Sequence, residues 1–150
     1  MLLKRAEKRF QLGTRDYAQL ASFRHSLRGF LRFSEAAAAQ EGLTSQHYQA
    51  MLILRGQAEG LQLSIADLAQ QLLIKHNSAV WLVDRLVKEG LVLRQLSADD
   101  RRRAELLLSP RGRQVLARLA AKHRKELQRL GPIMRHFFAE LARNQDAEGA

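Results

Sequence analysis

The chain contains no cysteine, only two prolines and one tryptophan in 150 residues, and its 15 acidic side chains are outnumbered by 25 Lys and Arg. Without thiols there is no disulfide, no thiolate metal site and no cysteine nucleophile. No apolar run approaches the length of a transmembrane helix, and the opening MLLKRAEKRF lacks the apolar core of a signal peptide, so a cytoplasmic protein with no membrane partner is expected. A phosphate-binding Gly loop, an HExxH motif and a supported Ser/His/Asp arrangement are also missing. The expectation is a protein that is not an enzyme and takes no cofactor. Any zinc site would need His and carboxylate ligands. His123 is the residue to weigh, because it shares an apolar stripe with Leu116, Leu119 and Leu127 and has Glu126 and His136 within reach. A buried histidine satisfied by hydrogen bonds is favoured there over a metal ligand, so no metal is expected; His47 carries the same ambiguity.

What the chain does have is apolar content of 46%, enough for one domain with a real core, and a net charge of +10. That balance predicts an anionic partner, nucleic acid ahead of a membrane surface. A cluster of the basic charge opens the chain, at Lys4, Arg5, Lys8, Arg9 and Arg15, and reads as a solvated arm before it reads as a specific contact.

The stretch from Ser64 to Gly90 organises the rest. Ser64 caps one short helix, with Asp67 approximating a capping box and Leu63 stapling onto Leu68. A second helix follows almost at once, from about Lys75 to Glu89, which is the sequence form of a helix-turn-helix. Ala79, Leu82, Val83 and Leu86 form its apolar stripe, while Asn77, Trp81, Asp84 and Lys88 fall opposite. The only Trp therefore lands among polar residues, on a face expected to meet DNA. Gly90 ends the helix in the left-handed region. Residues Leu91–Arg94 and Ala104–Leu108 then read as two strands around the charged tip Ser97–Arg103, a wing.

Helices flank this unit. Asp16 to Gln40 carries the stripe Leu20, Phe23, Leu27, Phe30 and Leu31, with Arg24, Arg28 and Arg32 on a solvated row. Gly42 ends it, and Thr44 caps a further helix to about Arg55 that is apolar on most sides and expected to be buried. Leu61–Leu63 is long enough only for a minimal strand against the wing. Ser109–Pro110 is a strong helix start. The helix is expected to run to Leu130, break at Gly131–Pro132, and resume from Ile133 to Arg143 with Met134, Phe137, Phe138 and Leu141 in register. These outer helices offer more apolar surface than one small winged domain covers, which predicts a homodimer.

The runs HNSAV (76–80), LVDRLVKEGLVLR (82–94) and DDRRRAELLLSPRG (99–112), in this order, resemble the MarR family of bacterial transcription regulators, over roughly Thr44 to Leu119. The resemblance implies a mostly α fold with a β wing: one domain over 1–150, with 44–109 the winged helix-turn-helix and 16–42 and 111–143 the dimerisation helices. It implies a homodimer reading a palindromic operator in double-stranded DNA, most often as a repressor, and a small aromatic or apolar anion as effector. The cysteine-based peroxide-sensing branch is excluded. Departures from the pattern are Leu73 where a Gly is usual, Lys75 where a small hydroxyl cap is usual, and Trp81 where a polar residue is usual.

The first part of the second helix enters the major groove in such proteins. On that logic the DNA-facing set is Lys75, His76, Asn77, Ser78, Val80 and Trp81, with Asn77 toward adenine, Val80 toward a thymine methyl, Lys75 toward guanine or phosphate, and His76 and Ser78 toward phosphate or water. Trp81 either stacks on sugar and phosphate or folds beneath the wing. Arg85 bridges to the DNA backbone or braces the wing. At the wing, Arg101, Arg102 and Arg103 alternate sides, so one or two are expected in the minor groove and the other paired with Asp99 or Asp100. The rival readings are a non-specific architectural DNA-binding protein and a winged-helix protein-interaction module.

Overall fold

The computed structural model describes residues 12–58, 61–99 and 103–148, with side chains to Arg143. The basic arm from Lys4 to Arg9 and the wing-tip Arg101 and Arg102 lie outside the described residues. The elements are α1 (Thr14–Ala39), α2 (Ser45–Arg55), α3 (Ile65–Leu72), α4 (His76–Lys88), β1 (Val92–Leu96), β2 (Ala104–Leu108) and α5 (Pro110–Glu148).

Each of α1, α3 and α4 ends in the same way. After α1, Gly42 (φ +71°) donates its N–H to Ala39 at 3.0 Å and Leu43 donates to Ala38 at 3.0 Å. After α4, Gly90 (φ +71°) donates to Val87 at 2.9 Å and Leu91 to Leu86 at 2.9 Å. These paired bonds form a Schellman motif, with an apolar residue following the left-handed one. The third copy, after α3, runs Leu73 to Gln70 at 3.2 Å and Ile74 to Ala69 at 3.1 Å, but its left-handed residue is Leu73, at φ 56°. Helix starts are equally explicit. Thr44 and Ser64 each form a full capping box, with His47 and Asp67 respectively. Ser109 Oγ accepts the Gly112 N–H at 2.9 Å, and Pro110 opens α5.

The chain divides into two compact units, Phe33–Arg124 and Met1–Arg32 with Lys125–Ala150. In the first, the ends of α1 and the start of α5 close a core around the winged segment: Ala37, Ala38, Tyr48, Met51, Leu68, Val83, Leu86, Val92, Leu106 and Leu119 are buried together. Burying a Leu or Met fully stabilises by about 1.5–3 kcal/mol, so this cluster is the main source of the unit's stability. β1 pairs antiparallel with β2, Val92 opposite Leu108 and Leu96 opposite Ala104. Leu63 adds a single bridge to Leu106, the minimal strand expected. β1 begins at Val92 and not Leu91, because Leu91 is spent on closing α4. Arg118 makes a two-pronged pair with Glu41 (2.9 and 3.0 Å), and its guanidinium hydrogen bond holds the Glu41 carboxyl below the usual range.

The second unit is an aromatic cluster. Phe23 stacks on Phe137 (centroids 5.1 Å, 24°) and meets Phe138 at 6.2 Å, while Glu140 takes hydrogen bonds from Arg15 (3.5 Å) and Gln19 (3.3 Å).

Two expectations are corrected. Gly131–Pro132 does not break the last helix: α5 is continuous from Pro110 to Glu148 with Pro132 inside it. Gly131 has no Cβ, which removes the clash with the residue before the proline; the missing N–H and the ring's approach to the carbonyl four residues back remain as costs that the helix absorbs. The other concerns α2, which is not buried on most sides. Tyr48, Ala50 and Met51 are buried, but Leu52 is 44% exposed.

Candidate nucleic-acid interface

The α4 stripe behaves as its spacing dictates: Ala79, Leu82, Val83 and Leu86 are all buried. The opposite face is open. Lys75, His76, Asn77, Ser78, Asp84 and Lys88 are exposed, Val80 is half-buried, and Trp81 is 79% exposed. Trp81 therefore does not fold beneath the wing; a large apolar ring standing in water is stable only as a minor cost, and becomes useful when something covers it.

Lys75 occupies the N-cap position (φ −67°, ψ 150°) and makes no side-chain cap bond. The first-turn N–H groups of α4 thus receive no bond from the cap side chain. The helix therefore begins with Lys75 as cap and His76 as first helical residue.

Of the three wing arginines only Arg103 is among the described residues. Arg103 pairs with Asp67 of α3, not with Asp99; Asp100 lies outside the described residues. The Asp67 carboxylate also accepts from Ser64 N at 2.9 Å and Ser64 Oγ at 2.8 Å, which fixes it where the returning strand brings Arg103 past. The Ser64 bonds, backbone first, with Arg103 nearby, hold the Asp67 carboxyl below its ordinary value. Arg85 does not brace the wing either. It pairs with Glu89 one turn on, at 3.0 Å. The wing is braced to α4 by Arg94, which pairs with Asp84. Asp67 and Arg94 were legible as a cap and a strand residue, but no sequence signal announced their ion pairs.

Gln46 and His47 of α2 were not in the expected set. They line a shallow groove with Asn77, Ser78, Trp81 and Leu82 of α4. His47 is the capping-box residue of α2, its Nδ1 3.0 Å from the Thr44 N. Burial, with the Arg85 charge added, lowers its pKa from 6.5.

His123 is a buried core histidine. Its Nδ1 lies 2.7 Å from the Leu119 carbonyl and its Nε2 2.9 Å from Ser34 Oγ, and the ring stacks on Tyr48 (4.0 Å, 16°) with Phe33 edge-on at 5.5 Å. Burial raises the Tyr48 pKa. Among the described residues no group of three His, Asp or Glu is placed to hold a metal, and no helix is long and apolar enough to cross a membrane.

A sequence model of the MarR family matches residues 41–103, from just after α1 to the residue before β2. A Thauera aromatica protein named for transcriptional regulation of the hcr operon is 32% identical over 96 residues, a match spanning 64% of this chain and 56% of the relative. Among solved structures, RV1404 from Mycobacterium tuberculosis is 27% identical, with 93% of this chain and 97% of that one covered at a TM-score of 0.66. A Staphylococcus aureus MepR variant, solved bound to an oligodeoxyribonucleotide, shares 18% identity and the fold, over 91% of this chain and 99% of its own, at a TM-score of 0.65. The capped α2, the paired helices α3 and α4 and the Arg-braced wing thus share the winged-helix fold of these structures, and over residues 41–103 the chain is similar to the MarR family.

Proposed function

We propose that this protein is a sequence-specific, double-stranded-DNA-binding transcription regulator that works as a homodimer. The observation that carries the reading is the outward face of α4, where Asn77, Ser78 and a 79% exposed Trp81 stand opposite a fully buried stripe. An α-helix presenting such a face fits the major groove, and a net charge of +10 favours the phosphates on either side. Lys75, His76, Asn77, Ser78, Val80 and Trp81 are the base-side and flanking contacts in this reading. Arg101 and Arg102 serve the minor groove, while Arg103, engaged by Asp67, positions the wing.

Dimerisation is supported by apolar side chains left in water within one unit: Leu20 (47% exposed), Leu31 (50%), Leu127 (53%) and Phe138 (53%). A twofold pair of α4 helices reads half-sites about one helical turn apart, roughly 34 Å. The family resemblance adds repression relieved by a small aromatic or apolar anion, through a population shift toward a form that fits the operator poorly.

Selecting bound sequences from a random duplex pool tests the reading. A palindrome bound by two protomers supports it. Random duplex competing as well as any selected site would leave only the architectural alternative.

A further inference from the structure

The groove between α2 and α4 carries chemistry that the α4 face alone does not explain. Gln46, His47, Asn77, Ser78 and Trp81 line it with Leu82, so five side chains able to donate a hydrogen bond converge there and no carboxylate is among the lining residues. Among the described residues, none of Gln46, Asn77, Ser78 and Trp81 makes a side-chain hydrogen bond. His47 is the informative member. The Thr44 backbone N–H can only donate, and it lies 3.0 Å from His47 Nδ1, so Nδ1 accepts and the ring proton sits on Nε2. Burial and the Arg85 charge both hold the ring neutral. The capping box thus presets a neutral imidazole whose free Nε2–H is the edge left for the groove.

We propose that this groove holds a phosphodiester of the DNA strand flanking the bases read by α4, with His47 Nε2–H, the Gln46 amide and the Ser78 hydroxyl donating to its oxygens and the Trp81 ring packed on the adjoining sugar. The inference rests on the DNA-facing reading of α4 and extends it to α2. A groove that offers several donors and no carboxylate, continuous with that face, suits an acceptor-only anion. Because backbone contacts carry no base identity, the site adds affinity without sequence choice.

His47→Glu separates binding from folding. Glutamate at this position completes a capping box with Thr44, so the melting temperature is kept, while a carboxylate replaces the donor. Gln46→Ala removes a second donor from an exposed position. Binding is measured with a selected duplex and a random-sequence duplex. His47→Glu is expected to weaken both by a similar factor, roughly tenfold or more, and Gln46→Ala both by several-fold with the salt slope unchanged, because a neutral donor releases no counterion. A folded His47→Glu protein that binds both duplexes like the parent overturns the site. So does a loss confined to the selected duplex, which marks a base contact. If His47→Glu melts early, Gln46→Ala decides by the same criteria. A parent protein that binds neither duplex overturns the reading of α4, and this site with it.

Discussion

Leu73 is held at φ 56°, ψ 40°, the only described non-glycine residue with positive φ, and its side chain is 91% exposed. An L-residue in the left-handed region costs about 1–2 kcal/mol. Replacing it by glycine removes that strain but adds unfolded-state freedom that costs about 0.5–1 kcal/mol. The side chain is in water, so almost no packing is lost, and Leu73→Gly should stabilise the protein by about 0.5–1 kcal/mol. For a chain of this size that raises the melting temperature by about 1–4 °C. Leu73→Asn should fall between, and Leu73→Val, β-branched and intolerant of positive φ, should lose about 1 kcal/mol against the parent. Urea unfolding at a fixed protomer concentration is the assay, because association would otherwise add its own concentration dependence. A Leu73→Gly protein less stable than the parent, alongside a Leu73→Val protein indistinguishable from it, would refute the strain argument.

Gly112→Ala should destabilise by about 1–3 kcal/mol in the same assay, because its Cβ would sit 2.0 Å from the Leu91 carbonyl oxygen, which is backbone and cannot swing aside. Pro132→Ala should leave helical content unchanged by circular dichroism and raise stability by up to about 3 kcal/mol, since α5 already runs through that position; a gain in helix content on substitution would mean the helix had been broken there. The pH dependence follows from His47, whose folded pKa lies below the ordinary 6.5 because of burial first and the Arg85 charge second, with Glu89 opposing. Its native form binds fewer protons than the unfolded chain. The contribution is therefore complete above pH 6.5 and is lost as the pH falls from there toward the depressed value. His47→Gln, which keeps a cap acceptor but does not titrate, should show a shallower stability loss as the pH falls below 6.5. Equal slopes for parent and variant would exclude His47 as the cause.

The elements with strong local signals were readable from the chain alone. Ser64 with Asp67, Thr44, Gly42, Gly90 and Ser109–Pro110 fix helix ends through bonds spanning a few residues, and the α4 stripe follows from its spacing. What escaped depended on distant partners. Arg103 meets Asp67 across 36 positions, and nothing near either residue distinguishes that pairing from one with Asp99. The Pro132 expectation failed because proline was weighed without the glycine before it. The Gln46 and His47 groove was illegible for the same reason as the ion pairs: it exists only once α2 is laid beside α4.

Leu91 is the point where several constraints meet. Its N–H closes α4 on Leu86, its carbonyl takes the Ser109 N–H at 3.0 Å, Ser109 Oγ donates to the neighbouring Gly90 carbonyl, and Gly112 is pressed against it. Such a joint leaves no slack for α4 to pivot while the wing and the first turn of α5 stay still. Anything that repositions α4 must therefore carry all three together as a single lever, so on the proposed function variants deaf to a regulating signal are to be sought at this junction.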